Sequence, residues 1–454
     1  MTALRNALIC VALTIFVNAS GTHAKVTPEE AAKLGKELTP LGAIRAGNAD
    51  GTIPAWEGGI THPPLSYKPG MHHPDPFIEE KPLFTITAAN AEKYVDKLSP
   101  GQLAMFRRYP KTWHMAIYPT HRSASLPQHV YDATIANATR AELTGGGNGV
   151  LHARGGIPFP IPKSGVEAVW NHILRYHGKS LVMTTGEAAP TTGGSYNLVK
   201  FKIEIIYPYY LSASNNHEWD NLISLYLRST ESPPRLAGEL LLSYEPIDQV
   251  KDQRQVWIYN PGQRRVRRAP HIGYDNPGPG TDGLRTNDQL DMYNGSPDRY
   301  DWTLIGRKEI YIPYNSYKLR RTDLRYDDIL KPGHINPDLA RYELHRVWVV
   351  EGKLKDGARH IYSRRTFYID EDSWTIVIAD NYDGRGEIWR VSEAHLINAY
   401  EVPLPWIALQ IHYDLNNGRY IAFGLNNDEA VEKFNLELDT MNFNPDSLRR
   451  MGLR

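Results

Sequence analysis

One cysteine, Cys10, is the only thiol in this 454-residue chain, and it lies in a segment with the marks of a secretory leader. Arg5 precedes an apolar stretch from Ala7 to Val17, and a small, polar segment ends at Thr22-His23-Ala24. Residues 1–24 therefore read as a signal peptide cleaved near Ala24, and the mature chain as periplasmic. The small residues of a lipoprotein processing site do not precede Cys10. Cleavage near Ala24 leaves no disulfide, no thiolate metal site and no cysteine nucleophile. Also missing is a further apolar run of about 20 residues, the length a membrane-spanning helix needs. Charge of one sign is lacking too. Lys+Arg and Asp+Glu both number 51, so no global field draws in nucleic acid.

Catalytic signatures are equally scarce. The chain has no Gly-x-Ser-x-Gly elbow and no His-Glu-x-x-His pair, which removes the common serine-hydrolase and zinc-hydrolase readings. Gly145-Gly146-Gly147-Asn148-Gly149 lacks the following Lys-Ser/Thr that a phosphate-binding loop requires and reads as a flexible turn. His72-His73 and the trio His114, His121 and His129 match no tight metal motif. Asp327-Asp328 and Asp370-Glu371-Asp372 fall where turns or helix caps are expected. No catalytic residue, metal or cofactor is expected.

What is abundant is aromatic: 27 tyrosines and 10 tryptophans suit a β-rich protein with rings that are dry at one end and wet at the other. Residues 25–120, rich in proline and glycine, read as an arm wrapping a body. Short helices are expected after Thr27-Pro28-Glu29-Glu30, from Thr87 to Leu98, and from a Ser164 cap over Gly165 to Tyr176. From Tyr196 the period becomes two: Val199, Phe201, Ile203 and Ile205 alternate with Lys200, Lys202 and Glu204. Further strands are expected at 239–244, 255–259, 264–268, 304–312, 342–350, 360–369, 375–380, 388–396 and 420–424. About ten strands joined by short turns imply one antiparallel sheet, curled or closed to hide its edges. In Tyr342 to Val350 neither face is cleanly polar, as in a sheet covered by helices on one side and lining a cavity on the other. Gly273 to Asp291 reads as a long lid or binding loop. Arg264, Arg265, Arg267 and Arg268 either pair with acids elsewhere on the sheet or present one pair to an acidic partner or headgroup.

Several strings together resemble a known family. They are Leu38-Thr39-Pro40-Leu41-Gly42-Ala43, the run from Ala46 to Pro54, Gly155-Gly156-Ile157-Pro158-Phe159-Pro160, the run from Trp257 to Arg268, Tyr300-Asp301-Trp302-Thr303-Leu304, and Tyr311-Ile312-Pro313-Tyr314-Asn315. They look like an uncharacterised proteobacterial family labelled outer-membrane lipoprotein-sorting protein, in the LolA/LolB-like superfamily. The resemblance implies an unclosed antiparallel β-barrel with helices covering a hydrophobic cavity. It also implies work between a resistance-nodulation-division (RND) type inner-membrane transporter and an outer-membrane protein. The expected organisation is a leader (1–24), an arm (25–120) and a LolA-like domain (121–454). The expected function is carriage of a hydrophobic or lipid-like ligand, with Trp257, Tyr259, Trp302, Tyr311, Trp348 and Trp389 as cavity candidates. Two alternatives stay open, an envelope sensor or assembly partner on the same fold and a periplasmic hydrolase.

Overall fold

The computed structural model describes residues 26–211, 219–249, 251–269 and 273–452; the expected leader lies outside them. Strands β1 (Phe84–Thr87) and β2 (His114–Ile117) come first, followed by a separate hairpin of β3 (Glu142–Leu143) and β4 (Val150–Leu151). Then come β5 (Ser180–Ala188), β6 (Leu198–Ile206), β7 (Leu222–Ser232), β8 (Leu240–Pro246), β9 (Gln255–Asn260) and β10 (Arg265–Arg268). A second series is β11 (Tyr300–Pro313), β12 (Tyr342–Leu354), β13 (Arg364–Asp370), β14 (Ile376–Tyr382) and β15 (Ile388–Ala399), ending in β16 (Leu404–Asp414), β17 (Arg419–Leu425) and β18 (Lys433–Phe434).

All but the small hairpin join one 16-stranded sheet in the order β1-β2-β12-β13-β14-β15-β16-β17-β5-β6-β7-β8-β9-β10, with β11 beside β12 and β18 beside β5. Every pairing is antiparallel except one parallel bridge, Ile117 to Tyr342. The large curved sheet expected from the sequence is what forms, and it does not close.

Alternation builds β6 as expected: Phe201, Ile203 and Ile205 are buried while Lys202 is exposed between them. Of the helices α1 (Pro28–Ala31), α2 (Pro100–Arg108), α3 (Gln128–Arg140) and α4 (Gly165–Ile173), α2 packs on β14 and β15 and α4 on β11 and β12, and strands β12 to β15 are buried along nearly their whole length. No helix among the described residues is long and apolar enough to cross a membrane.

Three local expectations are corrected. Thr87 caps no helix; it ends β1, where the Asn90 side chain accepts its N–H at 2.7 Å and closes a turn, and only a 3₁₀ helix follows, Ala91–Lys97. The Ser164 cap forms, but α4 stops at Ile173, short of Tyr176. Arg264 lies in the turn before β10 (φ 50°) and so is not a strand residue. Among the described residues none of the four arginines has an acidic partner; all are exposed, and Arg268 lies 5.9 Å from the Trp257 ring.

The N-terminal segment is fixed at several points: the Trp56 indole donates to the Ala124 carbonyl at 3.1 Å, and Arg346 donates to the Ala46 carbonyl at 2.9 Å. Gly42 is the tightest of these contacts. Its φ is 90°, and a Cβ there would stand 1.8 Å from the Pro160 carbonyl oxygen. Gly42→Ala is expected to destabilise the fold by about 1–3 kcal/mol from the backbone conformation alone, with the clash adding to it; thermal unfolding reads the loss.

Candidate functional site

Strands β5 to β9, with β16 and β17 on their flank, bend around a cavity of about 220 Å³. Side chains of one parity make its floor: Leu181 and Met183 from β5, Phe201, Ile203 and Ile205 from β6, and Leu241 from β8. The register sets Leu181 against Ile205 and Met183 against Ile203, so the floor is a continuous apolar surface. The roof is the segment 279–294, which contributes Pro279, Leu290 and Tyr293, and the end of α4 contributes Ile173.

Charged groups ring this apolar middle. At one end Arg175 pairs with Asp291, and Arg254 with Glu245 at 2.5 Å. His177, 3.5 Å from Asp291, is held well below its ordinary pKa by burial and by the Arg175 guanidinium, which keeps its ring neutral. At the other end Arg285 reaches Glu187 at 3.5 Å, and the Arg228 guanidinium lies 4.5 Å from the Phe201 ring centre. Burial raises the Glu187 pKa.

The roof is tied down from beneath. Asp288 accepts two hydrogen bonds from Arg365, at 2.8 and 2.9 Å, and lies 3.1 Å from His360. Arg390 donates to the Gly283 carbonyl at 2.6 Å, and Gln410 to the Gln289 carbonyl at 2.8 Å.

A family model described as protein of unknown function (DUF1329) matches residues 85–449. This chain belongs to the DUF1329 family. The match contains the strings at 155–160, 257–268, 300–304 and 311–315 that carried the resemblance. The DUF1329 chain is 50% identical over 443 residues to an uncharacterised protein, PA3922, of Pseudomonas aeruginosa, covering 97% of each. It is also similar to a solved outer membrane lipoprotein-sorting protein domain from Vibrio parahaemolyticus: 13% identity, 63% of this chain and 98% of that one, TM-score 0.44. A DUF1329 family protein from Desulfovibrio piger gives 13% identity, 60% and 92% coverage, and a TM-score of 0.42.

The six aromatic candidates of the DUF1329 sequence lie outside the cavity wall and do not converge. Trp257 and Tyr259 share a parity opposite to Val256, which faces the cavity. They turn instead towards the C-terminal helix Pro445–Gly452: Trp257 packs on Tyr244, and the Tyr259 hydroxyl donates to the Gly452 carbonyl at 3.1 Å. Trp302 stacks on Phe367 and touches Tyr293 from behind, so it backs the wall without lining it. Tyr311 meets Phe84 and Tyr94 in a separate core. Trp348 stacks on Trp374, and Trp389 donates to Asp414 at 3.0 Å. The signal that finds the actual floor is the Phe201, Ile203, Ile205 alternation.

One group has the composition of a metal site: ligand atoms of His345, Asp370 and Asp372 lie within 4.8 Å of one another, all buried. Arg122, however, donates to both oxygens of Asp372, at 2.6 and 2.8 Å, and His345 turns its Nε2 towards Glu343 at 3.2 Å. The group therefore acts as an ion network, and it clamps the 370–373 turn to the N-terminal segment, where the Ile44 N–H donates to Glu371.

Proposed function

We propose that this DUF1329 protein binds a hydrophobic, lipid-like molecule and releases it unchanged, as a carrier in the cell envelope. The observation behind the reading is the apolar cavity. Its 220 Å³ exceed the roughly 150 Å³ apolar void that admits benzene and fall just short of ordinary small-molecule pockets, about 300 Å³ upwards. That is room for a ring system or a stretch of one acyl chain. Covering about 300 Å² of ligand surface at about 25 cal/mol/Å² yields several kcal/mol before association costs, enough for a reversible carrier. The RND-type transporter and outer-membrane protein implied by the resemblance are the proposed donor and acceptor.

The test is binding of the neutral fluorescent probe N-phenyl-1-naphthylamine, with native mass spectrometry of gently purified protein. The wild type is expected to bind the probe and to release a small hydrophobic molecule in the spectrometer. Ile203→Trp, which fills the floor, is expected to weaken probe binding at least tenfold with the fold intact by circular dichroism. No binding to the wild type, or binding that Ile203→Trp leaves unchanged, would sink the carrier reading. An empty protein holding a tight protein partner would favour the docking alternative.

A further inference from the structure

The cavity is not greasy throughout. Thr185 on β5 stands directly opposite Phe201 on β6, and Ile203 opposite Arg228 on β7. Arg228 leans back over the Phe201 ring, so its guanidinium heads towards Thr185. Two residues further along β5, on the same face, Glu187 meets Arg285 from the roof. Strands β5 and β7 and the roof thus bring four polar side chains to one end of a chamber whose middle is apolar. They are 1%, 3%, 8% and 6% exposed for Thr185, Glu187, Arg228 and Arg285.

Each of the four has an atom without a hydrogen-bond partner: Thr185 Oγ1, Glu187 Oε1, Arg228 Nε and Arg285 Nε. A buried polar group left unpaired is destabilising. Four along one wall of one cavity leave hydrogen-bonding capacity open to a polar guest. The chemistry of the four defines that group. A guanidinium Nε–H only donates and the threonine hydroxyl can donate, so the incoming atoms accept from these three; Glu187, its pKa raised by burial, can meet them as the protonated acid and donate as well. Both guanidinium groups have a carboxylate at 3.5 Å, Arg285 the inner Glu187 and Arg228 the more exposed Glu239, so what stays open at this end is the two Nε–H groups. The charges at the far end are already paired as Arg175 with Asp291 and Arg254 with Glu245. Open hydrogen-bond donors on two guanidinium groups favour an anionic acceptor here, because charge-assisted hydrogen bonds are the stronger ones.

We propose that the cavity takes a single-chain amphiphile with a carboxylate head, its two oxygens accepting from Arg228, Arg285 and Thr185, and its tail lying along Met183, Ile203 and Ile205. This deepens the carrier reading and rests on it. Charge-assisted hydrogen bonds to a carboxylate are about twice as strong as neutral ones, which separates a fatty acid from an alcohol of equal length.

Decanoate, 1-decanol and decyl phosphate competing with N-phenyl-1-naphthylamine for the full-length mature protein test the inference. Decanoate is expected to displace the probe at a concentration at least tenfold lower than decanol and lower than decyl phosphate. In Arg228→Met the decanoate requirement is expected to rise about tenfold, to that of decanol, with decanol itself unchanged. Should Arg228→Met unfold, the near-isosteric Thr185→Val carries the test, with a rise of about threefold for decanoate alone. Equal displacement by acid and alcohol, a preference for the phosphate, or a preference indifferent to both variants overturns the carboxylate assignment and leaves carriage standing. A wild type that binds no probe and no decanoate overturns both.

Discussion

Asp288→Ala is expected to lower the unfolding free energy by about 3–5 kcal/mol, the range seen when one partner of a buried ion pair is removed. Asp288 is 1% and Arg365 0% exposed, and the aspartate holds both guanidinium ends of Arg365, a hydrogen bond from Thr286 at 2.5 Å, and His360. Burial disfavours the Asp288 charge, but the Arg365 guanidinium and His360 outweigh it and hold the carboxyl far below its ordinary range. Truncation leaves Arg365 a buried cation with no anionic partner among the described residues, beside the His360 ring at 3.5 Å and the rings of Tyr293, Tyr300 and Tyr362 about 5 Å away. The damage should not stay local, because Asp288 lies in the segment that roofs the cavity. Asp288→Ala is therefore expected to speed probe dissociation as well as to shift the urea midpoint. The double variant Asp288→Leu with Arg365→Met should recover much of the stability, since removing both charges removes the unpaired one. A loss below about 1 kcal/mol, or a double variant no better than the single, would show that the pair does not anchor the roof.

How much of this is legible in the sequence depends on whether the chemistry lies along the chain or across it. The β6 alternation was plain because one face meets solvent and the other the cavity, and that same pattern named three floor residues. Strand β5 was passed over: Ser180–Ala188 is buried on both faces, so its mixture of leucine, threonine, glycine and glutamate shows no alternation. Helix α2 had a signal that went unread, Ser99-Pro100-Gly101-Gln102, a capping box with proline at the first position. There the Ser99 hydroxyl and the Gly101 N–H both donate to buried Asp380. The aromatic candidates were drawn to large rings, and large rings are what cores use first; Trp348 on Trp374 and Tyr259 under the last helix are packing. The loop around 273–291 was recognised by its glycines and prolines, and it does cover the cavity. Its polar end was invisible, because Thr185, Arg228 and Arg285 are about fifty residues apart and meet only through strand register.

Glu393 sets a pH dependence of opposite sign to that of an ion-paired carboxylate such as Asp288. It lies on β15, 1% exposed, with the Tyr342 hydroxyl donating to it at 3.1 Å and, among the described residues, no cationic partner within salt-bridge distance except the neighbouring His395 ring at 3.7 Å. That ring is itself held down by burial to about 3 and is neutral. Burial, helped by the nearby Asp380 carboxyl, pushes the Glu393 pKa up to about 8, whereas the unfolded chain releases this proton near 4.5. The folded state thus binds more protons than the unfolded one between those values. The stability belonging to this group is full below about 4.5 and is lost as pH rises through about 8, by at most about 1.4 kcal/mol per pH unit. Asp380 and Glu371, raised to about 7, add to the same slope, so the wild-type curve alone cannot isolate one residue. Glu393→Gln can, because glutamine keeps the acceptor for Tyr342 and removes the ionisation. Urea unfolding at pH 5 and pH 8 is expected to show the variant gaining on the wild type by a few kcal/mol between the two. A stability difference that stays constant with pH would mean that Glu393 ionises in the folded protein much as it does in water.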